Sequence, residues 1–183
     1  NIYQYRNKME FTFSNRRWIL KDEPENVQAD FALGLHIPGR YDKILNINKC
    51  HIQRDQANKI LNIVQEHTID MMPYDIIAHT GFLRNLMIRH TENTNEIMVN
   101  IVTAFEDIKA LKPIVDKIVK EIKNIKSIVN NVTSRKAGVS TGEYEISLYG
   151  ENFIQEIING LTFNISANSF FQTNTKQTEK LYS

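Results

Sequence analysis

The 183 residues carry 22 lysines and arginines against 21 aspartates and glutamates, and 42% of them are hydrophobic. A net charge of +1 gives no global field that would draw the molecule onto nucleic acid or a membrane, so any electrostatic contact has to be local. The hydrophobic share excludes a disordered chain, and no apolar run reaches the roughly twenty residues of a membrane span. The one cysteine, Cys50, excludes an internal disulfide and favours a reducing, cytoplasmic setting.

In chain order, Met9, Phe11 and Phe13 alternate with Glu10, Thr12 and Ser14, which is the period of a strand with one buried face. Asn15 and Arg16 turn it, residues 17–20 read as a partner strand, and the polar segment 21–30, broken by Pro24, reads as a loop. Strands at 31–37 and 43–47, joined through Pro38-Gly39-Arg40, complete an antiparallel meander. Ala57, Ile60, Leu61 and Val64 recur at helical spacing and predict a helix over 55–67. Strands over 83–90 and 96–103 flank a polar turn at 91–95. Pro113 suits a first helical turn, and Ile114, Val115, Ile118, Val119 and Ile122 form the apolar face of a second helix. Strands at 127–132 and 144–148 surround a loop from Gly138 to Gly142, and Leu161, Phe163 and Ile165 alternate in a last one. Antiparallel strand groups with two main helices give an α+β class.

After Ser169-Phe170-Phe171-Gln172-Thr173-Asn174 a further helix opens, with Asn174 as cap and Gln177 three residues on. Leu181 and Tyr182 begin an apolar stripe that completes no face, and Tyr5 to Phe11 enters a strand almost at once. Both ends therefore read as excised, and the tail is expected to fray.

Four groups of residues have functional readings. Phe170, Phe171 and Gln172 offer two aromatic faces beside an amide, which suits a flat heterocycle; equally, the phenylalanines pack in a core and Gln172 caps a turn. Tyr5, Arg6, Asn7 and Lys8 form a polar, basic cluster able to meet phosphate oxygens and stack on a base, or simply a solvated strand end. Arg84 and Arg89 flank an apolar pair and suit ion pairs at a sheet edge. Between Lys112 and Lys136, seven basic residues face two acids, and Lys117, Lys120, Lys123 and Lys126 lie on one helix side as a phosphate-binding or a solubilising face. Cys50 reads as a small buried hydrophobe, a nucleophile or a metal-cluster ligand.

Taken in order, Tyr5-Arg6-Asn7-Lys8-Met9-Glu10-Phe11, Gly34-Leu35-His36-Ile37-Pro38-Gly39-Arg40, Asn48-Lys49-Cys50-His51-Ile52-Gln53, Gly81-Phe82-Leu83-Arg84-Asn85-Leu86-Met87-Ile88-Arg89, Leu148-Tyr149-Gly150-Glu151 and the Phe170-Phe171-Gln172 segment resemble the RNA uracil-5-methyltransferase family. The resemblance implies that residues 1–165 are its central, RNA-contacting α+β domain and that 166–183 begin its S-adenosylmethionine-dependent methyltransferase domain. It implies cofactor contact for Gln172, a place near the target base for Phe170, and RNA contact for Tyr5, Arg6, Lys8 and Arg40.

Family members form an adduct at C6 of the uracil through a cysteine, place the methyl group on C5 and remove the C5 proton with a carboxylate; neither the cysteine motif nor its partner occurs in these residues. Cys50 instead matches the fourth ligand of the iron–sulfur cluster of many ribosomal-RNA members, whose other three cysteines would precede Asn1. This tilts the expected target toward 23S ribosomal RNA and leaves this chain without the cluster, since one thiolate does not hold a group that takes four. The chain is thus expected to be an inactive fragment of such an enzyme, the alternative being a non-catalytic RNA-binding or scaffold module.

Overall fold

The computed structural model describes residues 2–24, 26–136 and 141–183. Its elements run β1 (Lys8–Ser14), β2 (Ala32–Ile37), β3 (Arg40–Asn46), α1 (Asp55–Thr68), β4 (Leu83–His90), β5 (Ile97–Thr103), α2 (Ile108–Glu121), β6 (Ile125–Val132), β7 (Tyr144–Gly150), β8 (Phe153–Ile158), β9 (Leu161–Ser166) and α3 (Thr175–Leu181). β1 to β7 form one sheet in the order β3-β2-β1-β4-β5-β6-β7, and β8 and β9 form a separate hairpin. The fold is α+β: neighbours in the large sheet are antiparallel, except that β5 and β6 are parallel, with α2 between them in the chain. Among the described residues no helix is long and apolar enough to cross a membrane.

The sheet buries apolar side chains on both faces. On one, Phe11, Phe13, Leu86, Ile88, Val99 and Ile101 pack with Ile60, Leu61 and Val64 of α1 and Leu111, Ile114 and Ile118 of α2. On the other, Met87, Met98 and Val129 meet Ile154 and Ile165 of the β8–β9 hairpin, together with Ala167 and the half-buried Phe171. β4 and β5 sit centrally and are buried at every position, so their alternate residues serve different cores.

Two glycines are required by close approach. A Cβ on Gly34 would lie 1.9 Å from the Leu45 carbonyl oxygen across the β2–β3 pair. Gly81 has φ +113°, and a Cβ there would lie 2.3 Å from the Pro73 carbonyl oxygen, so glycine lets the 73–81 loop close against the start of β4.

Two expectations are corrected, and one strand gave no sequence signal. Residues 17–20 are not a strand: Arg17 makes an isolated parallel bridge to Ile44, and β1 takes β2 and β4 as partners. The β8 strand had no alternating signal, because Glu156 points inward and Ile157 and Ile158 are adjacent. α2 starts at Ile108, capped by the Asp107 carboxylate accepting from the Ala110 amide at 3.0 Å, so Pro113 lies inside the helix rather than in its first turn. Of the expected 138–142 loop, residues 138–140 lie outside the described residues.

Candidate nucleic-acid interface

The tail is docked rather than frayed. The Asn7 amide donates to the Thr173 carbonyl at 2.8 Å, and its side-chain Nδ2 donates to the Gln172 carbonyl and to Thr175 Oγ1, each at 2.9 Å. Thr175 Oγ1 donates in turn to Glu156 at 2.8 Å. Glu156 has no exposed surface, and its carboxylate also accepts from the amides of Glu92 (2.7 Å), Asn93 (2.9 Å) and Ile157 (3.2 Å). Asn174 caps α3 through the Gln177 amide at 3.2 Å, as its spacing predicts. Lys176 reaches Glu92 at 2.9 Å, and Glu92 also pairs with Arg54, so α3 is tied to the β4–β5 turn as well. The expectation of a frayed tail fails at Phe171, which is half-buried with its ring 5.9 Å from that of Phe163. It holds for Leu181 and Tyr182, which are exposed.

This anchoring leaves two side chains outward. Phe170 is 87% exposed, and the Gln172 side chain is exposed while its carbonyl is held by Asn7. An aromatic face and an amide, fixed by their own backbone, are thus presented with little freedom left to lose on binding. Tyr5 lies against the opening of α3 instead: with Asn174, Lys176 and Gln177 it lines a cavity of about 570 Å³, to which neither Phe170 nor Gln172 contributes.

Arg6 and Lys8 flank Asn7. Arg6 Nε donates to the Lys8 carbonyl at 3.1 Å, and Lys8 Nζ lies 3.7 Å from Glu10. Burial, and then the neighbouring Arg89, lower the Lys8 pKa. No contact among the described residues joins Arg40 to this group. Arg40 sits at the turn of the β2–β3 hairpin, where it binds Asp42 bidentately at 2.9 and 3.0 Å and holds that carboxyl near 2. The β1–β2 pairing ends at Thr12 and Gly34, so the hairpin end runs on beyond its ladder with β1.

Arg89 is the residue that sequence reasoning misplaced. β4 is a central strand, and among the described residues no carboxylate pairs with Arg89. Only 2% exposed, it donates through Nη2 to the Ser169 carbonyl and so grips the tail one residue before Phe170. Burial lowers its pKa to about 10, which leaves it charged at neutral pH. Lys8 is its direct cross-strand partner, and the Glu10 carboxylate 3.7 Å from Lys8 Nζ offsets part of the repulsion between these like charges.

On α2, Lys112 and Lys117 form i,i+4 pairs with Asp116 and Glu121 at 3.2 and 2.5 Å, and the expected four-lysine helix side does not form, because α2 ends at Glu121 and leaves Lys123 and Lys126 beyond it. That helix lies on the sheet face opposite the β8–β9 hairpin.

Cys50 is buried in the turn before α1, where its amide donates to Asn58 Oδ1 at 2.8 Å and its carbonyl accepts from Asn58 Nδ2 at 3.1 Å. The N-terminal segment passes alongside, since the Gln4 amide donates to the His51 carbonyl at 3.0 Å. Among the described residues no three His, Cys, Asp or Glu side chains come together as a metal site, so an iron–sulfur cluster does not fit this chain's own donors.

No family model matches the chain. It is 42% identical, over 187 aligned positions, to an uncharacterised RNA methyltransferase of Chlorobaculum tepidum, covering 97% of this chain and 38% of that protein. A second uncharacterised RNA methyltransferase, from Porphyromonas gingivalis, is 38% identical over 97% of this chain and 40% of its own length. Among solved structures, the Pyrococcus abyssi tRNA (uracil-54, C5)-methyltransferase in complex with S-adenosyl-L-homocysteine superposes with a TM-score of 0.73 at 25% identity, over 99% of this chain and 40% of that one. The chain thus spans about two fifths of the length of the proteins it resembles.

Proposed function

We propose that the chain is the RNA-contacting part of a longer S-adenosylmethionine-dependent RNA uracil-5-methyltransferase, with residues 1–165 as its central domain and 166–183 as the start of its methyltransferase domain. The observation that carries this reading is the strap from Ser169 to Asn174. It is fastened by Asn7 and Arg89, with Glu156 holding Thr175 just beyond it, and it offers Phe170 and Gln172 outward in a chain similar to RNA methyltransferases over 97% of its length.

Within this reading Gln172 meets the cofactor, Phe170 lies at the target base, and Tyr5, Arg6 and Lys8 meet the RNA backbone or a neighbouring base. Arg40 is a more remote contact that would have to release Asp42. Residues beyond this chain carry out the transfer; this chain positions RNA and closes one edge of the cofactor site. Cys50 serves as one ligand of an iron–sulfur cluster completed by cysteines outside these residues, and that cluster points to 23S ribosomal RNA as the substrate.

The test is methyl transfer from labelled S-adenosylmethionine by the longer protein to unmodified 23S ribosomal RNA and, separately, to unmodified transfer RNA. Incorporation into the ribosomal RNA is expected. Incorporation into transfer RNA alone would overturn the assignment of substrate, and incorporation into neither would favour a scaffold module.

A further inference from the structure

Among the described residues, the outer face of the large sheet is only half covered. The β8–β9 hairpin lies over β4, β5 and β6, while the part made by β1, β2, β3 and the start of β4 carries a cavity of about 390 Å³. Thr12, His36, Tyr41, Arg84, Asn85 and Lys136 line it, and no carboxylate does among the described residues. That volume lies in the range of small-ligand sites.

Its walls have distinct characters. Tyr41, on the hairpin strand β3, is 74% exposed and offers a ring face on the open side. Arg84 forms a fixed wall: it is 4% exposed, its guanidinium lies 4.1 Å from the centroid of the Tyr74 ring, and Nη1 donates to the Thr133 carbonyl at 3.5 Å. A bulge in the β4–β5 register between Leu83 and Asn85 lets both Arg84 and Asn85 line this face. Across the floor, Asn85 Nδ2 donates to Thr12 Oγ1 at 3.2 Å, and that oxygen lies 3.4 Å from His36 Nε2. Lys136 adds an exposed cation at the rim. An aromatic face, an exposed lysine at the rim and a hydrogen-bonding floor make up the chemistry of an unstacked nucleotide site.

We propose that this cavity holds a single-stranded RNA nucleotide outside the target position, its base stacked on Tyr41 and its phosphate at Lys136. The inference rests on the RNA reading above and adds a second contact, on an open sheet face that the docked tail does not cover. Two anchors of this kind would fix the path and polarity of the strand between them.

The experiment is fluorescence anisotropy of a labelled oligouridylate of roughly twelve nucleotides, titrated with the 183-residue chain and its variants over a range of salt. Tyr41→Ala should weaken binding roughly 5- to 100-fold without changing the salt slope, and Tyr41→Phe should restore it. Lys136→Gln should reduce the slope of log affinity against log salt by about 0.7. Binding that is unchanged in Tyr41→Ala but weakened in Lys8→Gln would overturn the cavity and leave the RNA reading standing. Failure of the wild-type chain to bind at any salt would sink the RNA reading along with the cavity.

Discussion

A carboxylate with no exposed surface, Glu156 tolerates its burial because the amides of Glu92, Asn93 and Ile157 and the hydroxyl of Thr175 all donate to it. Glu156→Gln turns one acceptor oxygen into a donor facing donors. It should cost about 2–3 kcal/mol in urea denaturation and loosen α3, and a loss below about 0.5 kcal/mol would show that the network does not hold the tail. Asp75 makes a separate test. It accepts from Asn15 Nδ2 at 2.8 Å and from the Ile77 and Ala78 amides at 2.7 and 3.0 Å, and these bonds, the Asn15 bond foremost, hold its pKa well below the ordinary range. Its stabilisation is present above the unfolded value of about 3.9 and is lost as pH falls from there toward the lower native value. Asp75→Asn should therefore be less stable than wild type by about 1 kcal/mol at pH 7, with the gap closing below about pH 4. A gap independent of pH would assign the effect to packing. Gln172 and Phe170 were legible as candidates because an exposed aromatic beside an amide is a local pattern. Arg89 was not, since the carbonyl it grips lies 80 residues away and only the fold brings it there.

The elements divide in the same way. β1 was plain from its strict alternation, and β4 and β5 from their apolar content; α1 and α2 were plain from one-sided apolar spacing. The β8–β9 hairpin was half hidden, because Glu156 is held inward by long-range donors and breaks the pattern that burial would otherwise impose. The parallel β5–β6 pairing was equally out of reach, as it depends on how α2 packs rather than on either strand. Since the hairpin closes the second core, Ile154→Ala should destabilise the chain by about 2–4 kcal/mol and expose Phe171, which a urea titration and near-ultraviolet circular dichroism would read together. A loss under about 1 kcal/mol would mean that the hairpin rides on the sheet without supporting it.

At the scale of the molecule, one sheet serves two purposes. Helices seal one face, while the other divides between the hairpin that secures the tail and the open, cation-lined cavity of β1 to β4. On the reading proposed above, this arrangement positions RNA, in a chain that spans about two fifths of its relatives. Gln172→Ala in the longer protein should raise the KM for S-adenosylmethionine about fivefold, through loss of hydrogen bonds worth about 1 kcal/mol, and leave RNA affinity unchanged. An unaltered KM would reduce Gln172 to a residue of the turn before α3. The central claim, methylation of uracil at C5 in RNA positioned by this chain, is tested most directly with RNA tritiated at uracil C5, incubated with the longer protein and S-adenosylmethionine. The account predicts tritium release equal to methyl incorporation, and neither when the 183-residue chain is used alone. Methyl incorporation without tritium release, or any release catalysed by the chain alone, would contradict it.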